Sequence, residues 1–314
     1  MTRAMHVMAG VLLDARGHVL LAQRPPGKHL AGLWEFPGGK LDADETAVAG
    51  LVRELREELG IEAEVGEPLI RVPWRYGDRS LLLDARVVRS WQGEPMSLDG
   101  QALQWRDPAA VDLAMLSPAD RPILRALQLP ARYPITPADV SVEAFEAWRL
   151  LLLEAIEHGL RLVLLRFPLW APEQVRELAA AVLPVARERG AQLLLSGDVA
   201  GALALGHGVG VQLKALQLTS LHERPLPWEQ LVGASCHDQT ELARASAWAD
   251  FATLSPVSST ATHPAATPLG WPVFQSMVEA AAVPVYALGG MTAADAEVAR
   301  RAGGQGVAGI RGFW

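Results

Sequence analysis

The sequence holds a single cysteine, Cys236, so no disulfide can form within the chain. That fits a reducing cytoplasm, which is the expected location. It has no basic excess: 28 Lys and Arg stand against 35 Asp and Glu, a net charge of −7. A nucleic-acid duplex is bound by displacing counterions from a basic face, so it is not an expected partner. A small phosphorylated ligand stays open, because a metal ion supplies positive charge locally. No run of about 18 uncharged apolar residues occurs, so neither a membrane span nor a membrane partner is expected. The apolar stretch 5–13 is short, and Asp14, Arg16 and His18 follow at once. It reads as a first strand rather than a leader. Low-complexity tracts and charge blocks are absent as well.

What is present is ample apolar material, 50% of 314 residues, enough for two domains. Residues 5–13 and 18–23 read as strands joined by a turn at 15–17, and further strands are expected near 67–73, 80–88 and 101–105. Between Glu45 and Leu59 the apolar residues Ala47, Val48, Leu51, Val52, Leu55 and Leu59 recur at helical spacing. Gly60 ends that helix. A last helix is expected from about Pro118 to Leu127. Two prolines in the stretch 128–134 mark a break, giving domains 1–129 and 133–314. Beyond it, apolar runs at 161–166, 191–196, 208–213, 231–236, 250–254, 284–288 and 305–310 alternate with amphipathic stretches. With a strand near 133–135 the count is eight, which predicts a parallel sheet buried on both faces and closed into a compact (β/α)₈ TIM barrel.

Glu54, Glu57 and Glu58 fall at i, i+3 and i+4, so three carboxylates share one helix face. Hard oxygen donors in such a cluster suit Mg²⁺ or Mn²⁺. A solvated acidic face laced to Arg53 and Arg56 is the competing reading. The segment 39–61, GKLDADETAVAGLVRELREELGI, decides between them. It resembles the Nudix signature at every specified position: Gly39, Glu45, Arg53, Glu54, Leu55, Glu57, Glu58, Gly60 and Ile61. The resemblance implies an α/β/α sandwich with a mixed sheet and a metal-dependent diphosphatase. Its metal ligands would be Glu54, Glu57, Glu58 and the Gly38 carbonyl, with Arg53 orienting Glu45 and Glu54 accepting the proton of the attacking water. Segments 34–46 and 91–101 resemble the MutT type, which hydrolyses oxidised purine nucleotides such as 8-oxo-dGTP. That likeness adds Asp99 as a metal ligand and Arg24, His29, Phe36, Asp78, Arg79 and Asp120 as substrate contacts. Asp120 stands where the MutT type carries a base-reading asparagine. An ionised aspartate only accepts hydrogen bonds, so the choice of base stays open. A helix N-terminal role is its competing reading.

The second half resembles thiamine phosphate synthase and its relative TenI, a thiazole tautomerase. Arg166, the segments 233–237 and 255–262, and the glycine turn Gly289-Gly290 carry the likeness. It implies that Arg166, Ser235, Thr260, Thr262, Gly289 and Gly290 hold a phosphorylated ligand, for example a thiazole phosphate. His237 would serve as the acid–base group. Several family positions differ. The Asn-Asp pair that serves the pyrimidine and Mg²⁺ reads Ser196-Gly197-Asp198. No lysine follows Arg166, His263 replaces another lysine, and Gln212 replaces a histidine. Synthase activity is therefore not expected; a tautomerase and a non-catalytic binding module both remain. The fusion also leaves open a Nudix reaction on thiamine-pathway diphosphates.

Overall fold

The computed structural model describes residues 4–260 and 266–314. It divides into two compact units with the boundary between Gln128 and Leu129.

In the first unit, β1 (Met5–Leu12) pairs in parallel with β5 (Arg79–Gln92), and β5 pairs antiparallel with β4 (Glu62–Tyr76), giving a mixed sheet. A second sheet orders β3 (Trp34–Glu35), β2 (Val19–Gln23) and β6 (Leu103–Arg106). β1 and β2, expected as strands joined by a turn, enter different sheets, and the antiparallel bridge Leu13↔Val19 spans the turn between them. The Asp14 carboxylate accepts the N–H groups of Arg16 and His18 at 2.8 and 2.9 Å and turns the chain there. β4 and β5 run well past their predicted ends, with register shifts between Glu64 and Ile70.

Helix α1 spans Ala47–Leu59 and packs on β1 and β4. Leu51, Leu55 and Leu59 are fully buried with Met8, Leu12, Leu20 and Ile61. Val48, counted in the predicted stripe, is 43% exposed. The helix starts two residues later than its periodicity implied, because Thr46 caps it by accepting the Ala49 N–H at 3.2 Å. Gly60 closes it in the left-handed conformation. Helix α2 (Arg121–Gln128) packs on β4; the residues 118–120 expected to begin it form a turn instead.

Among the described residues the second unit has eight parallel strands: β7 (Arg132–Pro134), β8 (Leu162–Leu165), β9 (Gln192–Ser196), β10 (Val209–Leu213), β11 (Val232–Cys236), β12 (Phe251–Leu254), β13 (Val285–Ala287) and β14 (Gly306–Gly309). Their order is β7-β14-β13-β12-β11-β10-β9-β8, and the parallel bridge Ile135↔Leu164 joins the two ends into a barrel. Among the described residues seven α-helices connect them: α3 (Phe145–Glu157), α4 (Pro172–Glu188), α5 (Val199–Leu205), α6 (Ala215–Leu218), α7 (Gln239–Trp248), α8 (Gly270–Glu279) and α9 (Ala296–Arg301). One core lies between strands and helices, built on Leu152, Ile156, Leu178, Val182, Val211 and Phe274. The other fills the barrel, where Tyr133, Phe251 and Tyr286 meet with ring centroids 5.4–5.6 Å apart. Strands buried on both faces explain their near-continuous apolar runs. Cys236 is buried in the barrel wall, and burial pushes its thiol up to about 12. No helix among the described residues is long and apolar enough to cross a membrane.

Candidate functional sites

The loop before α1 runs along β1. Met8 and Gly10 donate their N–H groups to the carbonyls of Gly39 and Pro37, each at 2.7 Å, and Leu41 donates to His6 at 3.0 Å. Gly38 lies between, at φ 144°, where a Cβ would strike the Met8 carbonyl. Its carbonyl stays outside this ladder, while its N–H donates to Glu58 at 3.1 Å. A Cβ on Gly39 would collide with the Glu54 carboxylate. The two adjacent glycines therefore answer two different neighbours, the β1 backbone and the α1 carboxylate.

Arg53 organises the acidic face. Its Nε and Nη2 donate to both Glu45 oxygens at 3.1 and 3.0 Å, its Nη1 to Glu54 at 2.8 Å and to Glu57 at 3.1 Å, and its Nη2 also to the Lys40 carbonyl at 3.0 Å. The Arg53 hydrogen bonds hold the Glu45 carboxyl below the usual range. Glu54 is largely covered, with 15% of its side chain exposed, whereas Glu57 is 60% exposed. Burial pushes Glu58 up to about 7 against the pull of the Gly38 N–H, and the charges of Glu54, Glu35 and Asp99 push the same way. Among the described residues no three His, Cys, Asp or Glu side chains converge as a ready metal cage. Arg53 draws Glu54 and Glu57 to itself, and Glu58 turns to Gly38. The donor set still fits a hard dication in kind: Glu58, raised by burial and by the nearby charges of Glu54, Glu35 and Asp99, would be relieved by a cation. Exposed Asp99 belongs to the same electrostatic cluster.

Of the expected substrate contacts, Arg24, His29, Phe36 and Asp120 are linked to one another directly or through Tyr76. Arg24 forms an ion pair with Glu35 and donates from Nε to the His29 carbonyl at 2.6 Å. The His29 ring meets Tyr76 edge-on, with centroids 5.1 Å apart. Asp78 and Arg79 lie exposed at the turn between β4 and β5. Phe36 is buried, 3% exposed, so it is a core aromatic here. Asp120 is 4% exposed. One of its oxygens accepts the Phe36 N–H at 3.0 Å and the other accepts the Ser117 hydroxyl. Its own carbonyl accepts the N–H groups of Ile123 and Leu124 as α2 begins. The structure thus gives Asp120 a tethering role at the start of α2 in place of an exposed base-reading one. Burial first, and then the charge of Glu35, push its carboxyl up to about 7.

Glu35 was not singled out in the sequence. It sits beside Phe36, but only the pairing Ala22↔Glu35 brings it against Arg24. Its charge acts on both Glu58 and Asp120, so it links the two sides of the site. Tyr76, whose hydroxyl accepts the Ala119 N–H at 3.2 Å, was likewise missed.

In the barrel, the described candidate residues Arg166, Ser235, His237, Thr260, Gly289 and Gly290 lie in or after the ends of β8, β11, β12 and β13. Arg166 follows β8 and lines a cavity of about 420 Å³ with Ser196, Asp198 and Lys214. Ser235, Thr260, Gly289 and Gly290 are not among its lining residues. Ser235 accepts from Gln212 at 3.1 Å, and Gln212 accepts the Tyr133 hydroxyl at 3.1 Å. The glutamine that replaces the family histidine therefore ties the barrel interior together. Gly289 and Gly290 pack against Pro256 and Ser259 too closely for any Cβ. The His237 ring lies 3.0 Å from Glu241 and is 57% exposed. Thr262 and His263 lie outside the described residues.

Residues 8–126 match the NUDIX domain model, and residues 132–313 match the thiamine monophosphate synthase model. The first unit is 43% identical over 119 residues to the CTP pyrophosphohydrolase of Escherichia coli, spanning 38% of this chain and 88% of that protein. It is 41% identical over 92 residues to the 8-oxo-dGTP diphosphatase of Proteus vulgaris, spanning 29% of this chain and 82% of that one. A putative thiamine-phosphate synthase 2 of Aquifex aeolicus is 33% identical over 192 residues, 60% of this chain and 99% of that one. With the clamped carboxylate face in one unit and the closed parallel barrel in the other, the chain belongs to the Nudix hydrolases through its first unit and to the thiamine monophosphate synthase family through its second.

Proposed function

We propose that the Nudix unit hydrolyses the bond between the α- and β-phosphates of a nucleoside triphosphate, releasing a nucleoside monophosphate and diphosphate. The observation that carries this is the acidic face of α1, with Glu54 backed by the glycine turn and Glu45 fixed by Arg53. Mg²⁺, or Mn²⁺ in its place, would be held by Glu54, Glu57, Glu58, Asp99 and the Gly38 carbonyl; when bound it neutralises charge developing on the phosphate oxygens. Glu54 takes the proton of the attacking water as the new P–O bond forms, and the diphosphate leaves with the electrons of the bond that breaks. Arg53 keeps Glu45 in place and holds the loop carbonyl of Lys40 to the helix. The substrate we favour is 8-oxo-dGTP, on the likeness of segment 34–46 to the MutT type and on the diphosphatases among the relatives.

A second reading is favoured by Asp120. Its carboxylate is buried and occupied, so it does not offer the base-reading amide, and a relative at 43% identity is a CTP pyrophosphohydrolase. Assaying the purified protein with Mg²⁺ against 8-oxo-dGTP, CTP and thiamine diphosphate, and comparing kcat/KM, separates these readings. Highest kcat/KM on 8-oxo-dGTP supports the first reading; intact 8-oxo-dGTP beside hydrolysed CTP replaces it with the second. Hydrolysis of thiamine diphosphate alone moves the unit to thiamine-pathway diphosphates. For the barrel we propose binding of a phosphorylated ligand without synthase chemistry, with His237 as the acid–base candidate for a thiazole tautomerase. Turnover of a thiazole phosphate that is lost in His237→Ala supports the tautomerase, and binding without turnover leaves a ligand-binding module.

A further inference from the structure

The barrel cavity collects three cations and one carboxylate among its lining residues: Arg166, Arg176, Lys214 and Asp198. The aspartate is the family's metal-site position, yet here it has other partners. Arg176, reaching from α4, donates to both of its oxygens at 2.6 and 2.9 Å. The Gly201 N–H adds a third bond at 2.9 Å, because Asp198 caps α5. These bonds hold the carboxyl below its usual range, led by the Arg176 hydrogen bond. The neighbouring asparagine of the synthases is Gly197. A carboxylate saturated by a bidentate guanidinium and a helix N-terminus has little left to offer Mg²⁺, so the residues present do not fit the family's metal.

The other two cations are in a different state. Among the described residues, the Arg166 and Lys214 side chains have no hydrogen-bonding or ion-pairing partner; only their backbone groups are bonded. Lys214 leaves the end of β10, and its aliphatic stem lies against Gly197, where an added Cβ would sit 3.2 Å from the lysine Cε. It therefore brings to this cavity, from another strand, the charge that the sequence lacks after Arg166. The cavity is also lined by aromatics: Phe167 and Trp170 stack with centroids 4.2 Å apart, and Trp170 is pinned through its Nε1 to the Val140 carbonyl at 2.9 Å. Two unpaired cations beside a rigid apolar wall suit an anion on a small carbon skeleton.

We infer that this cavity binds a phosphorylated small molecule without a divalent cation, Arg166 and Lys214 holding the phosphate while Arg176 occupies the aspartate that would otherwise recruit a metal. The inference rests on the barrel reading proposed above and adds the residues that hold the phosphate and the absence of a metal; it is independent of the Nudix reading, since binding is read without nucleotide turnover. The test is isothermal titration of the full chain, in EDTA, with inorganic phosphate, inorganic diphosphate and phenyl phosphate. Binding of at least one probe in EDTA is expected, weakened about tenfold or more by Lys214→Gln and by Arg166→Gln. Tighter binding of phenyl phosphate than of inorganic phosphate supports the aromatic wall as part of the site. In Arg176→Gln, binding in EDTA falls and added Mg²⁺ restores it. Lys214 is exposed, so its substitution spares the fold and keeps the test decisive if Arg176→Gln unfolds. Absence of heat from all three probes overturns the inference. So does heat unchanged in both cation variants, or binding by the wild type only when Mg²⁺ is supplied.

Discussion

The Gly38 amide donates to Glu58 at 3.1 Å, so the loop that precedes α1 is fastened to the helix's last turn through one of its carboxylates. The same loop is fastened to β1 by the backbone, and Arg53 ties it to the middle of α1 through the Lys40 carbonyl. Loop, strand and helix thus form one unit, and the acidic face cannot shift without moving the glycine turn.

Glu54→Gln keeps the side chain's size beside Gly39 and removes its basicity. Turnover of the preferred triphosphate is expected to fall by about 10²-fold or more while the melting temperature stays within a few degrees. Steady-state diphosphate release beside a thermal melt checks this. Unchanged turnover would remove Glu54 as the proton acceptor.

Arg53→Lys replaces a fork that reaches four groups with a single ammonium. The two bonds to Glu45 cannot both survive. The expected outcome is a loss in kcat with a smaller change in KM, read from full saturation curves.

Gly38→Ala and Gly39→Ala separate backbone from carboxylate. At Gly38 the added methyl meets the Met8 carbonyl and a φ of 144° that L-residues avoid. Denaturant unfolding is expected to show a loss of about 1–3 kcal/mol. At Gly39 the methyl meets the Glu54 side chain, which is able to rotate. There the loss should fall on turnover, with stability less affected.

Asp120 sets a pH dependence of stability. Its ordinary value is 3.8 and the fold raises it to about 7. Between those values the folded chain holds a proton that the unfolded chain releases, so ionisation opposes folding. Stability is therefore expected to fall as pH rises from about 4 through 7 and to level off above, by at most about 4 kcal/mol from this group. Asp120→Asn keeps an oxygen for the Phe36 N–H and cannot ionise. Melts from pH 4 to 8 should show a shallower decline in the variant; parallel curves would remove Asp120 as the source.

Much of the acidic face was legible in advance. Spacing alone places Glu54, Glu57 and Glu58 on one side of a helix, because 3.6 residues make a turn, and the signature positions supply Arg53 and Glu45. The eight barrel strands were legible for a related reason, since burial on both faces leaves continuous apolar runs. The proposed substrate side was not. Arg24, Glu35, Tyr76 and Asp120 lie far apart in sequence, and their contacts depend on the register of β2 with β3 and on the turn that begins α2. The expected contact at Asp120 proved to be a tether because burial, which the sequence pattern does not report, closed it to solvent.

Sequence by itself determined which elements form and which residues carry charge along α1, because both follow from local periodicity and residue chemistry. Tertiary structure decided which charges are already paired. Arg53 gathers the carboxylates of the acidic face, and Arg176 closes an aspartate in a cavity. A guanidinium's partner is set by which strands and helices meet around it, and that is settled only when the chain has folded.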